Sequence, residues 1–255
     1  MKLFYRELGG KGQPIIILHG FLGSSDNWLT QGKMLSDPFH IYMIDLRNHG
    51  QSPHSDDFSY EAMADDLHEF LVTNAIDNPV IIGHSMGGKV AMRFATSHPE
   101  LINKLIIVDI APKEYPVQHD HILEGLKAIP IGSIQSRNEA EESLSKFVSE
   151  RDVRQFLLKN LYRQPEGGFS WRMNLPVLDE NIATIGADVL GDGKFDKPVL
   201  FVRGKKSSYI ADEDLGIIKK YFPQAALVTL DTGHWVQAEK PQEFVNEVVR
   251  FIEAK

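Results

Sequence analysis

Residues 80–88, VIIGHSMGG, contain the pattern on which the predicted fold depends. An apolar run at residues 80–82 leads into a Gly-x-Ser-x-Gly turn centred on Ser85, and a helical segment at residues 86–97 follows. The motif alone is weak, but strand, tight turn and helix are the context it requires. Glycine is expected at 83 and 87 because a side chain there would collide with neighbouring backbone. The pattern predicts that Ser85 is a nucleophile at the end of a sheet; the alternative is a glycine-rich turn whose serine has no chemical role.

Apolar runs of the same kind recur on both sides of this stretch. They lie at residues 14–20, 40–46, 105–110, 198–202 and 225–230. Runs without polar alternation are typical of parallel strands that are covered on both faces. Helical segments lie between them, including residues 60–73 after the predicted N-cap Ser59, and a last helix at residues 241–252. The alternation predicts an α/β fold with a doubly wound, mostly parallel sheet.

The segment between residues 113 and 186 interrupts this alternation. Two amphipathic helices are predicted there, at residues 139–148 and 152–161, and the pattern contains no strong strand. We therefore expect a single core domain formed by residues 1–112 and 187–255, with residues 113–186 as a helical insertion.

Composition excludes several classes of function. The 255 residues include 27 Lys and Arg against 35 Asp and Glu, which gives a net charge of −8, and they include no cysteine. Cysteine nucleophiles, disulfides, Cys-based zinc sites and iron–sulfur clusters are therefore excluded. An acidic chain lacks the surplus of cations that binds nucleic acid, and no apolar run reaches the roughly 20 residues that span a bilayer. The N-terminus does not resemble a secretory signal. These features predict a soluble, cytoplasmic protein that binds neither nucleic acid nor membrane.

A serine hydroxyl needs a base to remove its proton. Among ten histidines, His234 is the best candidate because it lies in the loop after the last strand, in the sequence DTGHW at residues 231–235. That loop is expected at the same carboxyl edge of the sheet as Ser85. His84 is expected to point away from Ser85, and His19 to order a loop. The alternative for His234 is a surface loop histidine.

The third group should orient the imidazole and stabilise its cation. Asp109 follows the strand at residues 105–108 and is predicted to lie beside the site. The loop at residues 203–209 contains no carboxylate, and the first acid beyond it is Asp212. We therefore choose Asp109, with Ser207 as a neutral hydrogen-bond partner of His234. The alternative is that Asp109 caps the turn into residues 111–112.

The negative charge that develops on the substrate oxygen needs hydrogen-bond donors. The amide of Met86 begins a helix, and the amide of Phe21 follows the strand at residues 14–18, so these two amides are predicted to form an oxyanion hole. Leu22 and Trp235, which adjoin the two loops, are predicted to line the substrate pocket. A plain turn at the end of the strand is the alternative for Phe21.

The motifs together resemble the α/β-hydrolase superfamily, and more narrowly the YbfF-type bacterial esterases. The residues that carry the resemblance are HGF at 19–21, DLRNHGQS at 45–52, GHSMGG at 83–88, VDIAP at 108–112, WRMN at 171–174 and GHW at 233–235. The resemblance implies an α/β-hydrolase fold with a helical lid inserted after the sixth strand, at residues 113–186. Many members carry the acid after the strand equivalent to residues 198–202, whereas YbfF-type proteins place it at the position of Asp109. It also implies action on short-chain acyl esters and acyl thioesters without a metal or an organic cofactor.

The sequence therefore predicts a serine carboxylester hydrolase that cleaves a small-molecule ester or thioester through an acyl-enzyme on Ser85. A ligand receptor with slow turnover remains open, as does a C–C hydrolase or peroxidase that uses the same triad. Serine at the nucleophile position argues against dehalogenases and epoxide hydrolases of this fold, which use Asp there. His119-Asp120-His121 is expected to be a solvated turn rather than a metal site. Lys205-Lys206 could meet an anionic substrate such as a coenzyme A phosphate.

Overall fold

The computed structural model describes residues 1–117, 119–191 and 193–254. The strands are β1 (Tyr5–Leu8), β2 (Pro14–Leu18), β3 (His40–Ile44), β4 (Val80–His84), β5 (Lys104–Val108), β6 (Leu161–Arg163), β7 (Phe169–Trp171), β8 (Val199–Gly204) and β9 (Ala225–Leu230). The helices are α1 (Leu29–Leu35), α2 (Tyr60–Thr73), α3 (Met86–Ser97), α4 (Asp120–Lys127), α5 (Arg137–Ser145), α6 (Arg151–Leu158), α7 (Leu175–Glu180), α8 (Ile182–Gly186), α9 (Leu215–Tyr221), α10 (Val236–Glu239) and α11 (Pro241–Glu253).

Within the described residues, seven strands form one sheet in the order β1-β3-β2-β4-β5-β8-β9. Strands β2, β3, β4, β5, β8 and β9 run parallel, and β1 pairs antiparallel with β3 at the edge. One apolar core packs Phe70 of α2 and Phe94 of α3 on one face. A second core packs Leu35 of α1 and Phe244 of α11 on the other face. The predicted doubly wound, mostly parallel sheet is confirmed, and its central strands are buried because helices cover both sides.

Two kinds of strand were not predicted. Strand β1, with the sequence YREL, is half exposed at the edge of the sheet, so it carries no continuous apolar run. Strands β6 and β7 form a separate antiparallel pair within the region expected to be purely helical. Each has three residues, which is too short for a periodicity of two to be recognised.

Five strands precede residue 113 in the described chain, so the segment that we expected to form an insertion, residues 113–186, follows the fifth strand and not a sixth. Residues 1–13 contain one strand, β1. The chain turns after it, where Gly9, Gly10 and Gly12 all have positive φ. The predicted helix at residues 139–148 is α5, which begins earlier, after Ser136, whose hydroxyl accepts a hydrogen bond from the amide of Glu139 at 3.3 Å. In the described part of the chain, no helix combines the length and the apolar character needed to cross a membrane.

Candidate active site

The nucleophile turn places Ser85 between the last residue of β4 and the first residue of α3. Ser85 has φ 52° and ψ −119°, a conformation that L-residues rarely adopt. Its amide donates a hydrogen bond to the carbonyl of Val108 on the neighbouring strand, at 3.1 Å. A Cβ on Gly83 would lie 2.3 Å from the carbonyl oxygen of Gly87, and a Cβ on Gly87 would lie 2.5 Å from that of His19. Both glycines are therefore required sterically, as the sequence predicted.

Asp109 lies at the carboxyl end of β5 and is fully buried. Its Oδ1 accepts a hydrogen bond of 2.9 Å from the amide of Gly204 at the end of β8. Its Oδ2 accepts a hydrogen bond of 2.8 Å from Nδ1 of His234 and a short one from the hydroxyl of Ser207. The parallel pairing of β5 with β8 brings these donors to the carboxylate. The hydrogen bonds to the Asp109 carboxylate therefore come from residues at or after other strands, and not from the turn that follows Asp109.

Ser207 has a different partner from the one that the sequence predicted. We expected its hydroxyl to bond to His234, but the hydroxyl donates to Asp109 instead. The loop after β8 folds back on itself, with the amide of Ser207 bonded to the carbonyl of Gly204 at 3.1 Å. This turn carries Ser207 over the carboxylate, where it stabilises the negative oxygen that also holds the imidazole.

His234 lies between β9 and α10 and has rings on two sides. The ring of Tyr209 stacks on it with a centroid distance of 4.1 Å and an interplanar angle of 23°. The ring of His84 lies 4.7 Å away, between centroids. Because Nδ1 donates its proton to Asp109, Nε2 of the neutral ring is left as an acceptor. That nitrogen is the one a general base requires.

Two further histidines order loops around the site, a role that the sequence predicted for His19 but not for His84. His84 is buried, and its Nε2 donates to the carbonyl oxygen of His234 at 2.9 Å. Burial and the neighbouring His234 hold the pKa of His84 well below its ordinary value. His19 accepts the amide of Leu46 at Nε2, at 3.0 Å, and its Nδ1 donates to the carbonyl of Gly20 at 2.8 Å. Burial lowers the pKa of His19 to about 4, so this ring stays neutral and holds both loops.

Two cavities meet at Ser85. The larger, of about 970 Å³, is lined by Ser85 and by four of the residues predicted around it: Phe21, Leu22, His234 and Trp235. The smaller, of about 30 Å³, is lined by Ser85, Phe21 and Met86. Among the hydrogen bonds of the described residues, none joins the Ser85 hydroxyl to His234, although the two residues share the larger cavity. Bonds of this kind often tighten only when substrate is bound.

Three residues line the site although the sequence did not predict them there. Tyr209 and His119 line both cavities, and Lys89 lines the smaller one. His119 was expected in a solvated turn, but its ring lies edge-on to Phe21 with centroids 5.6 Å apart. The histidines of this turn belong to no group of three metal-ligating side chains among the described residues.

The lysine pair at 205–206 points to solvent. Both residues are exposed, and Lys206 forms a surface ion pair with Asp231 at 3.4 Å. Such a pair contributes little to stability because water screens it. Neither lysine lines either of the two cavities, so the suggested contact with an anionic substrate has no support from their position.

The sequence and the fold both resemble known hydrolases. Residues 13–241 match the family model of the alpha/beta hydrolase fold. The chain is 39% identical to the sn-1-specific diacylglycerol lipase ABHD11 of Danio rerio, over 99% of this chain and 83% of the relative. It is 36% identical to esterase YbfF of Escherichia coli strain K12, over 99% of each. A marine microorganism esterase of known structure superposes with a TM-score of 0.96 at 43% identity, covering 98% of this chain and 99% of the esterase.

These similarities extend over nearly the full length of this chain, so they include the strand–turn–helix around Ser85 and the loops after β5 and β9. The chain therefore belongs to the α/β-hydrolase fold family, in which it is a hydrolase of the esterase type.

Proposed function

We propose that this chain is a serine carboxylester hydrolase that acts on short-chain acyl esters, and on acyl-coenzyme A thioesters as a second class. The observation that carries the proposal is the hydrogen bond between buried Asp109 and His234, on the wall of the cavity that also contains Ser85. A carboxylate, an imidazole and a serine on a strained turn are the groups that acyl transfer requires.

In the first half of the reaction, Nε2 of His234 accepts the proton of the Ser85 hydroxyl as the oxygen attacks the acyl carbon. The carbonyl oxygen becomes an oxyanion, and the amides of Phe21 and Met86 donate hydrogen bonds to it. The imidazolium that forms on His234 is stabilised by the carboxylate of Asp109, to which its Nδ1 is already bonded.

In the second half, the imidazolium of His234 gives its proton to the departing alcohol or thiol, and the acyl group stays on Ser85 as an ester. A water molecule then gives a proton to His234 and attacks the acyl carbon. Collapse of the second oxyanion expels the Ser85 oxygen, which recovers its proton from His234 and releases the carboxylic acid.

We also propose that residues 113–186 act as a lid over a core formed by residues 1–112 and 187–255. The support is that α6 contributes Val153, Phe156 and Leu157 to the wall of the larger cavity, opposite the strand ends that carry Ser85 and His234. A helical cover of this kind keeps water away from the acyl-enzyme and shapes the space for substrate.

Replacement of Ser85 by alanine tests the proposal. With p-nitrophenyl acyl esters, Ser85→Ala should lower kcat by about 10⁴ or more, because the oxyanion hole and binding alone leave only residual catalysis. A fluorophosphonate probe should label the wild type at position 85. Ser133→Ala, a change at an exposed serine of the insertion, is the control and should keep wild-type activity. A loss below tenfold for Ser85→Ala would remove Ser85 as the nucleophile.

The same assay separates a hydrolase from a ligand receptor. A wild-type protein that binds these esters without multiple turnovers would favour a ligand receptor. A parallel series of acyl-coenzyme A substrates measures the thioesterase activity. The cytoplasmic location predicted from the sequence stays a prediction, which cell fractionation of the native organism would test.

A further inference from the structure

The two cavities at Ser85 differ in which catalytic group they contain. His234 lines the larger cavity, and Met86, whose amide is a proposed oxyanion donor, lines the smaller one. In the proposed mechanism His234 must reach the oxygen or sulfur atom of the leaving group to protonate it. The leaving group therefore lies in the larger cavity, and the acyl substituent, on the other side of the reacting carbon, points into the smaller one.

The smaller cavity limits the size of that substituent. Its volume is about 30 Å³, and a water-sized group needs about 10–15 Å³ measured in this way. There is room for roughly two such groups, which corresponds to the carbon chain of an acetyl or propionyl group. Ile110, just after β5, and Ile185, at the end of the proposed insertion, contribute apolar side chains to its wall.

Lys89 holds this wall together from within. It lies one turn beyond Ser85 on α3, and only 1% of it is exposed. Its ammonium donates to the carbonyl of Gly186 at 3.0 Å and to that of Ala187 at 2.5 Å, at the C-terminal end of α8. A cation is favoured there by the helix dipole and by the carbonyls that the helix leaves unpaired. The nucleophile helix is thereby tied to the end of the insertion.

The start of the insertion meets the same point. The amide of Tyr115 donates to the carbonyl of Gly186 at 2.8 Å, and the ring of Tyr115 faces the Lys89 ammonium at 5.0 Å. The hydroxyl of Tyr60 donates to the carbonyl of Ile185 at 3.1 Å. A Cβ on Gly186 would lie 2.2 Å from the carbonyl oxygen of Tyr115, so the two ends of the insertion are in close backbone contact.

Burial of this ammonium has an energetic consequence. Desolvation lowers the pKa of Lys89 to about 8, and the carboxylates of Asp188 and Glu114 partly oppose that shift. The buried ammonium has lost its hydration shell. Its hydrogen bonds to two carbonyls and its contacts with aromatic rings replace the lost water contacts. Because Gly186 and Ala187 directly follow Ile185, the two hydrogen bonds of Lys89 fix where Ile185 lies.

We propose that Lys89 is a positioning residue that sets acyl specificity. It clamps both ends of the insertion onto the nucleophile helix and so keeps the smaller cavity closed behind Ile185. The site therefore takes acyl groups of two or three carbons, while the larger cavity accommodates a bulky leaving group. This inference rests on the proposed function, since it assigns the two sides of the same ester to the two cavities.

The experiment measures kcat/KM for p-nitrophenyl acetate, propionate, butyrate and hexanoate, so that the leaving group is constant and only the acyl chain varies. The wild type should lose about tenfold or more between propionate and hexanoate, because a few methylenes without space cost at least that much. Lys89→Met keeps an unbranched side chain without the ammonium, and it should raise the hexanoate-to-acetate ratio about tenfold. Ile185→Ala, with Lys89 intact, should raise the ratio in the same direction.

Lys127→Met is the matched control. Lys127 is an exposed lysine of the insertion that pairs with Asp179 at 2.8 Å and lines neither cavity, so its replacement should leave the ratio unchanged. Thermal unfolding of each variant shows that it is folded. If Lys89→Met does not fold, Ile185→Ala still decides, because it changes the cavity without the clamp.

The outcomes separate this inference from the proposed function. A folded Lys89→Met that keeps the wild-type acyl profile would overturn the inference while ester hydrolysis itself stands, and so would an Ile185→Ala that keeps this profile. A wild type that prefers hexanoate to acetate would also overturn it. Absence of Ser85-dependent hydrolysis from every ester would instead overturn the proposed function.

Discussion

Asp109 and Ser85 share an unusual backbone conformation, since both are non-glycine residues with positive φ, at 50° and 52°. Each follows directly after a buried parallel strand, where the chain must turn sharply to point a side chain along the sheet edge. The cost of such a conformation is of order 1–3 kcal/mol per residue. Neither residue would keep it without the hydrogen bonds that surround it, which indicates that the site is built at the expense of local stability.

The relative importance of Asp109 and Ser207 can be measured directly. Asp109→Asn should lower kcat by about 10⁴, because an amide can present its NH₂ group to His234 and favour the wrong tautomer. Ser207→Ala removes one of several donors to the same carboxylate, so we expect a loss of about tenfold. Steady-state kinetics on one p-nitrophenyl ester gives both values. A greater loss from the serine change would overturn the assignment of Asp109 as the acid.

The sequence pointed to candidate site residues at or just after strand ends, and it gave no such signal for Lys89 or His119. Ser85, Asp109 and His234 each come at a strand end, and parallel strands bring such ends to one edge, so their proximity follows from the order of the chain. His119 lines both cavities because residues 113–186 fold back over α3, and Lys89, on α3 itself, is buried beneath the same segment. No local pattern encodes that long-range packing.

At the scale of elements, the turn between β4 and α3 depends on close backbone contact. Gly87→Ala would place a Cβ 2.5 Å from the carbonyl oxygens of Leu18 and His19. Because those atoms are backbone and cannot rotate away, we expect a loss of about 1–3 kcal/mol in the free energy of unfolding, with a matching loss of activity as Ser85 moves. Denaturant unfolding and ester hydrolysis measure the two effects.

Gly216→Ala is the control for that change. Gly216 lies in α9, and a Cβ added there would have no heavy atom within 4 Å beyond its chain neighbours and the backbone of its own helix. Alanine should there stabilise the protein by about 0.5–1 kcal/mol, because glycine is a poor helix former. Similar unfolding free energies for the two variants would contradict the steric account of the nucleophile turn.

The elements that carry a continuous apolar run or a clear helical periodicity were predictable from the sequence. Helices α2 and α3 and strand β9 have the predicted bounds, since apolar periodicity and the N-cap Ser59 mark them. Edge strand β1 and the β6–β7 pair were missed because half-exposed or very short strands carry little apolar signal. The loss of the α/β alternation led us to predict an insertion at residues 113–186, although it predicted nothing of the packing within that segment.

At the scale of the molecule, the two faces of the sheet pack against different parts of the chain. The core that contains α2 and α3 is continuous with apolar residues of the insertion, such as Leu126 and Leu157. The core that contains α1 and α11 involves none of the described insertion residues. The insertion is therefore anchored on the same face as the nucleophile helix, which is why a single side chain of that helix can hold it.

The whole molecule should lose stability in mild acid because it buries neutral histidines. Burial lowers the pKa of His19 to about 4 and that of His49 to about 3, and it holds the pKa of His84 well below its ordinary value. In the unfolded chain the same rings titrate near 6.5. Below that pH the unfolded state therefore binds protons that the folded state does not, so stability is complete above pH 6.5 and falls as the pH decreases towards 4.

The expected loss in the free energy of unfolding follows from this difference in histidine pKa between the folded and unfolded states. Between pH 7.5 and pH 5.5 each of these rings costs about 1.4 kcal/mol, so the free energy of unfolding should fall by about 4 kcal/mol in total, before most carboxylates titrate. Urea unfolding at the two pH values measures it. His49→Gln should flatten the pH dependence by about one third, whereas His121→Gln, at an exposed histidine, should not change it. Equal stability at pH 7.5 and pH 5.5 would show that the three buried rings bind protons in the folded state, and the loops that they hold would then have to open in acid without loss of the fold.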